Sequence, residues 1–509
     1  MISIYKKIGV KYLALVALLA VSYGCVDLDE DPTEALLSPE VMTSPEALDA
    51  AIVGVYRSIQ NYANASTFYI AGYGGDDITT HPGRNKAGFR AFDQRNVIPT
   101  TERLNDSWNG YYEPIRALNN IIEQKDAIVG GDLDEINVRI GEAYFMRGML
   151  YMFLTRTFGK VPLSLSALPD LNLGLSEIED VYMHIESDFK QAAALLPDLH
   201  PESVGVGARA NKGTANAFLS RLYLYWGGYP LKDNSKYALA ASTAKSVIDN
   251  ASAHDFMMVD DMLSLWSQED ANRFNTEGVF TLVFCQPCDD QFSNRAVGRV
   301  GYPINAQGWN ETFAEIKFMN DMPAGPRKDA TFKESLTLKD GSSLHYTSFQ
   351  ELQQPMIVKV TGLESEIPAW SRNTTTNVNR YFMRYAEVLL IYAEATGRAG
   401  ANDAAAWDAL NQVRRRALGH LPYTSTYPDD LTAADGNLAD LAFTERKWEL
   451  AGEFERWYDL VRMEQVQTAL SDRSPLESNA IVGSLGLDNY FAPIPQEEID
   501  KAPHLADSK

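Results

Sequence analysis

Adjacent carboxylates, as in Asp76-Asp77, are the residue type that cleaves glycosidic bonds, a reaction that needs two acids on opposite sides of the bond. In a chain of 509 residues with 68 Asp and Glu, adjacent acids arise by chance, so this pair carries no activity by itself. Cys285-Gln286-Pro287-Cys288 has the spacing of a redox dithiol, which works when a helix opens at the cysteines and lowers the thiol pKa. Here Asp289-Asp290-Gln291 follows with no amphipathic continuation, so the expectation is a small structural disulfide or two buried thiols. The seven histidines, His81, His184, His200, His254, His345, His420 and His504, form no pair at helical ligand spacing, and neither a nucleophile elbow nor a phosphate loop is present. Asp27, Asp29 and Asp31 have calcium-loop spacing, but Pro32 stands where that loop needs glycine and Ser38 where it needs glutamate. No cofactor and no metal are expected, and the chain reads as a non-enzyme.

The amino terminus decides the compartment. Lys6, Lys7 and Lys11 precede an apolar run over 12–21, too short to span a bilayer, which ends in Ser22-Tyr23-Gly24-Cys25. Residues 1–24 are expected to be an export leader and Cys25 the lipidated first residue of the mature chain. Ser22 departs from the leucine usual at that place. Residues 25–43 are expected to form an acidic tether and amino-terminal segment. The formal charge of −23 makes nucleic acid and anionic lipid poor partners.

Most of the remaining chain, 44–509, repeats apolar residues at three- and four-residue spacing. The spacing predicts helices over 44–62, 107–125, 133–158, 178–196, 208–226, 236–250, 384–398, 401–418 and 439–470. The stretch 142–151 is apolar on nearly every face and is expected between neighbouring helices. Ala215, Ala217, Ala238 and Ala244 would let two helices approach closely, as in a tetratricopeptide pair. Over 439–470, Leu450, Phe454, Trp457 and Val461 form a stripe. Arg446/Glu449, Glu453/Arg456 and Asp459/Arg462 suggest an amphipathic helix braced by ion pairs three residues apart. Between 251 and 381 turn residues break the pattern and only short strand-like runs appear, at 279–284 and 356–360, which predicts a loop-rich insertion between helical scaffolds 44–250 and 382–509.

Several stretches together resemble the SusD/RagB family of surface lipoproteins: the leader with Cys25; Ala47-Leu48 with Ala51, Gly54 and Tyr56; Trp108 with Tyr112, Ile115 and Asn119; Gly141-Glu142-Ala143-Tyr144-Phe145-Met146-Arg147 running on to Phe158-Gly159-Lys160-Val161-Pro162-Leu163; Arg384-Tyr385-Ala386-Glu387 through Ala395; Leu410-Asn411-Gln412-Val413-Arg414; the 445–462 stretch; and Phe491-Ala492-Pro493-Ile494-Pro495. The resemblance implies a mainly α fold. Tetratricopeptide-like helix pairs form a right-handed scaffold, and long loops with short strands build a ligand surface. It further implies an outer-membrane position facing the cell exterior and a SusC-type TonB-dependent transporter as partner. The ligand it implies is an oligosaccharide; a peptide-capturing member is the alternative, and a surface glycosidase a more distant one.

A glycan site needs flat aromatic faces for pyranose rings and a few fixed polar groups for hydroxyls. Trp108, Tyr302, Trp309 and Trp370 lie in or beside polar, turn-rich segments and are the aromatic candidates; Asp77, Arg84 and Asn105 are the polar ones.

Overall fold

A computed structural model describes residues 42–200, 207–285, 294–295, 297–369 and 376–507. The leader, Cys25, the acidic tether through residue 41, Cys288 and Trp370 lie outside them. Helix α1 (Pro45–Ala63) starts where Ser44 accepts the Ala47 N–H at 3.3 Å, with proline at the first helical position. After β1 (Ile78–Thr79) come α2 (Ala87–Asp93), α3 (Leu104–Glu123), α4 (Leu133–Phe158), α5 (Ile178–Leu195), α6 (Lys212–Trp226) and α7 (Ser235–Asp249). Asp132 caps α4, and Gly159 at φ 75° ends it, a conformation glycine adopts without penalty. From Ile140 to Phe158 every residue of α4 but Tyr144 is buried, because α3 and α5 pack on either side of it. The all-apolar stretch thus lies inside the helical array, as its pattern requires.

Successive helices pack as hairpins: α4 on α5, α5 on α6, α6 on α7. The carboxy-terminal helices α8 (Tyr385–Arg398), α9 (Ala404–Leu418) and α10 (Leu438–Glu449) continue the array, α8 lying against α7, α9 and α10. Ala215, Ala217 and Ala244 are buried as expected, but Ala238 faces solvent and Ala240 takes the inner position on α7.

The stretch 251–381 is woven into this scaffold. Strand β2 (Gly278–Leu282), buried throughout, pairs antiparallel with β8 (Arg380–Arg384), which runs directly into α8. Three smaller antiparallel ribbons pair β1 with β3 (Phe313–Ala314), β4 (Phe332–Lys333) with β7 (Met356–Ile357), and β5 (Ser335–Thr337) with β6 (Ser343–His345). A separate cluster of Tyr302, Phe313, Leu336, Phe349, Leu352 and Met356 forms the core beneath them. Cys285 is disulfide-bonded, its partner lying outside the described residues.

The single helix expected over 439–470 is broken into three. After α10 the chain turns at Gly452 (φ 76°) and Phe454 (φ 66°), then forms α11 (Arg456–Arg462) and α12 (Val466–Leu470). The ion pairs three residues apart are largely replaced by long-range buried ones; of the three, Asp459–Arg462 exists, at 2.8 Å. Arg446 instead meets Glu387 (2.8 Å) and Asp459 (2.7 Å), and Glu449 meets Arg384 and Arg416 (both 2.8 Å). Arg384 also reaches Glu277 (2.7 Å) and Glu453 (2.6 Å), so the network ties the residue preceding β2 to β8, α9 and α10. Paired guanidinium–carboxylate contacts of this kind satisfy charges that could not otherwise be buried.

Candidate functional site

Trp309 stands at the surface on a turn whose shape is set atom by atom. Residues 304–306 form a short 3₁₀ turn, after which Gln307 (φ 57°) and Asn310 (φ 50°) take left-handed conformations. Gly308 between them packs so tightly on Tyr302 that a Cβ there would overlap its carbonyl oxygen. The Trp309 N–H donates to the Arg299 carbonyl at 2.7 Å, and Asn310 N–H to the Tyr302 carbonyl at 3.2 Å. Asn310 closes the turn, accepting the Ile304 N–H at 3.0 Å through its side chain.

Around the indole, 39% exposed, lie groups suited to hydroxyls. The Arg299 guanidinium is 6.0 Å from the ring centroid, at the outer limit of cation–π contact, and donates to the Gln307 carbonyl at 2.8 Å. The Asn310 amide donates to Glu351 at 2.8 Å, and His81 Nε2 lies 3.5 Å from the same carboxylate. Burial holds the His81 imidazole below its ordinary pKa, with Glu351 opposing. Beneath, buried Lys86 and Glu311 pair at 2.6 Å and Ser66 donates to Glu311 at 2.6 Å, locking loop 80–86 against the Trp309 segment. Arg84 is exposed on that loop. A partly exposed aromatic ring with a guanidinium, a carboxylate and an imidazole nearby can stack on a pyranose ring and hydrogen-bond its hydroxyls.

The structure divides the other residues expected here. Tyr302 is 2% exposed, its hydroxyl donating to the Ile367 carbonyl at 3.1 Å; it supports the Trp309 turn from below and offers no face to a ligand. Trp108 is 4% exposed on α3, its ring 4.8 Å from Tyr112 and 5.0 Å from Phe158, beside a cavity of about 360 Å³ that Pro162 and Leu505 also line. Asn105, on the same helix, donates to Glu497 at 2.6 Å. Asp77 is fully buried, accepting the Gly452 N–H at 2.8 Å, and desolvation pushes its carboxyl up to about 7. It holds the α10–α11 turn rather than a ligand. Among the described candidates, therefore, Trp309 stands at the surface, Tyr302 lies under its turn, Arg84 is exposed on the loop 80–86, and Trp108, Asn105 and Asp77 belong elsewhere. The sequence candidates do not include His81, Arg299, Asn310 and Glu351, which the structure links to the Trp309 turn. The one signal for them is the turn-forming run Asn305-Ala306-Gln307-Gly308 placed directly before an aromatic residue.

Comparison with known proteins adds a second line. Residues 353–507 match the family model described as "SusD family", and residues 27–224 match one described as "Starch-binding associating with outer membrane". SusD-like protein P2 of Formosa agariphila is 28% identical to this chain over 97% of it and 98% of its own length. A SusD homologue from Bacteroides thetaiotaomicron, of known crystal structure, has the same fold: TM-score 0.75 at 24% identity, covering 92% of this chain and 97% of its own. A protein described as a laminarin-binding SusD-like protein gives a TM-score of 0.71 at 25% identity, covering 90% and 97%. The mainly helical architecture is that of these proteins.

Proposed function

The chain belongs to the SusD/RagB family, and from that premise we propose that it is a glycan-capture lipoprotein of the outer cell surface, anchored through Cys25. It holds an oligosaccharide without cleaving it and delivers it to a SusC-type TonB-dependent transporter. The observation that carries the binding half is Trp309: a large, partly exposed aromatic held by a rigid turn, with Arg299, Glu351 and His81 linked to that turn; Arg84, exposed on the loop 80–86, is proposed as a further polar contact. A surface whose walls are already fixed loses little entropy on binding. Trp370, outside the described residues, is proposed as a second stacking ring. The relative described as laminarin-binding and the family-model description that names starch binding and the outer membrane support the ligand class and the location. No step of this reading requires a cofactor.

The test is a binding panel on a chain beginning after Cys25, with laminarin-derived, xyloglucan-derived and starch-derived oligosaccharides against a peptide library, each recovered afterwards for analysis. Retention of one glycan class, recovered intact, is the expected result. Retention of peptides alone would assign the protein to peptide capture, and shortened glycan products would assign it to the glycosidases.

A further inference from the structure

A second cavity, of about 230 Å³, lies away from Trp309 among α10, α11, α12 and the short helix Ile316–Asp321, lined by Asp76, Phe318, Phe443, Lys447, Arg456 and Gln465 among others. Its charged groups divide into those already committed and those left over. Asp76 accepts Arg456 Nε at 2.7 Å and Nη2 at 3.2 Å. Asp321 and Asp472 share Lys317, at 2.7 and 3.4 Å, and Glu315 is held by Arg473 Nε at 2.7 Å.

Two cationic side chains of the lining, Arg456 and Lys447, are left incompletely paired. Arg456 is 6% exposed, and its Nη1 is buried with no hydrogen-bond partner, a costly omission for a guanidinium. The Lys447 ammonium lies over the faces of Trp448 (4.1 Å) and Phe318 (4.9 Å) and, among the described residues, makes no ion pair or hydrogen bond. Burial lowers its pKa, with Asp76 opposing, so it would gain from an anion in direct contact. Phe443, half-buried, adds an aromatic wall, and the exposed Gln465 and Thr468 add polar groups at the rim.

We propose that this cavity is a binding site for a single sugar unit carrying an oxyanion, a carboxylate or a sulfate ester. Lys447 Nζ would receive the charge, with the Arg456 guanidinium lining the same cavity, and Phe443 the apolar edge of the ring. Its volume lies below the range of sites that enclose whole drug-sized ligands, which fits one unit or chain end rather than an oligosaccharide. The Lys447 ammonium sits in a partly buried setting where a charge-assisted hydrogen bond is stronger than at an open surface.

Calorimetry on the full mature protein tests this with four probes: glucuronic acid, glucose 6-sulfate, inorganic sulfate and neutral glucose. At least one acidic sugar is expected to bind at least tenfold more tightly than glucose, and which of the two binds tells carboxylate from sulfate. Lys447→Gln is expected to weaken that binding at least tenfold, while Trp309→Ala, at the separate surface, leaves it unchanged. A thermal melt of Lys447→Gln within a few degrees of the parent shows that the loss is not unfolding, and Lys447→Arg, which keeps the charge, is expected to restore most of the affinity. Acidic sugars binding no better than glucose, inorganic sulfate binding while both sugars fail, or undiminished binding by Lys447→Gln would each overturn the proposal. Because Trp309→Ala probes the oligosaccharide surface, failure at this cavity is distinguishable from failure of the glycan-capture reading.

Discussion

Arg384 Nη1 and Glu449 Oε1 lie 2.8 Å apart with both side chains wholly removed from solvent. The pair sits inside a larger cluster with Arg416, Glu277 and Glu453, so each charge has more than one partner. Removing one member leaves the others buried and uncompensated, which costs far more than the pair itself contributes. Glu449→Ala is therefore expected to destabilise the protein by about 3–5 kcal/mol, measured by urea unfolding. A loss below 1 kcal/mol would show that the cluster is not tightly held.

The same carboxylate sets a pH dependence. Although desolvation would raise it, Arg416, Arg384 and Arg327 hold Glu449 down at about 2. Between that value and the ordinary carboxylate range the unfolded chain binds more protons than the folded one. The resulting stability is present above about pH 4.5 and lost as pH falls toward 2, on the order of 3 kcal/mol. Asp77 works with the opposite sign. Desolvation raises its folded pKa to about 7, so the folded state holds the proton more tightly and stability falls as pH rises from about 4 to 7. Asp77→Asn removes that penalty. Its stability relative to the parent is expected to rise by up to about 4 kcal/mol between pH 4 and pH 8; a constant difference across this range would contradict the assignment.

Periodicity located most of the helices because it is a local property. Residues 133–158 form α4 as the spacing predicts, since capping by Asp132 and termination by Gly159 are written next to the helix they bound. Long-range partnership was not legible. Arg446 and Glu449 look like neighbours on a helix face, yet Glu449 pairs with Arg384, 65 residues away. Asp77 reads as a loop acid until Gly452, 375 residues on, is found donating to it. The same limit governed the aromatic candidates. Trp108 and Tyr302 sit in polar segments like Trp309, but Phe158 covers one and the turn below Trp309 covers the other.

Gly308 tests whether the Trp309 turn must keep its shape. A methyl group at that position would overlap the Tyr302 carbonyl, so Gly308→Ala has to shift the turn although the indole remains. Glycan affinity is expected to fall by about 1–3 kcal/mol, as for loss of an aromatic hot spot. Unchanged affinity would mean that the ring's position does not matter.

Trp457 provides the contrast between a scaffold ring and a ligand ring. It is 1% exposed, with the Arg95 guanidinium stacked 3.8 Å from its centroid. Trp457→Ala is expected to cost about 3–5 kcal/mol of stability, read as an early thermal melt, whereas Trp309→Ala melts within a few degrees of the parent. Equal melting temperatures for the two variants would refute this division of roles.

Isothermal titration of the parent protein and Trp309→Ala with the oligosaccharide class that the binding panel retains, followed by chromatography of the recovered ligand, bears most directly on the claim of glycan capture. The account predicts saturable binding by the parent, ligand recovered at its original length, and a loss of about 1–3 kcal/mol in the variant. Parent and variant binding alike, or ligand recovered in shorter pieces, would contradict it.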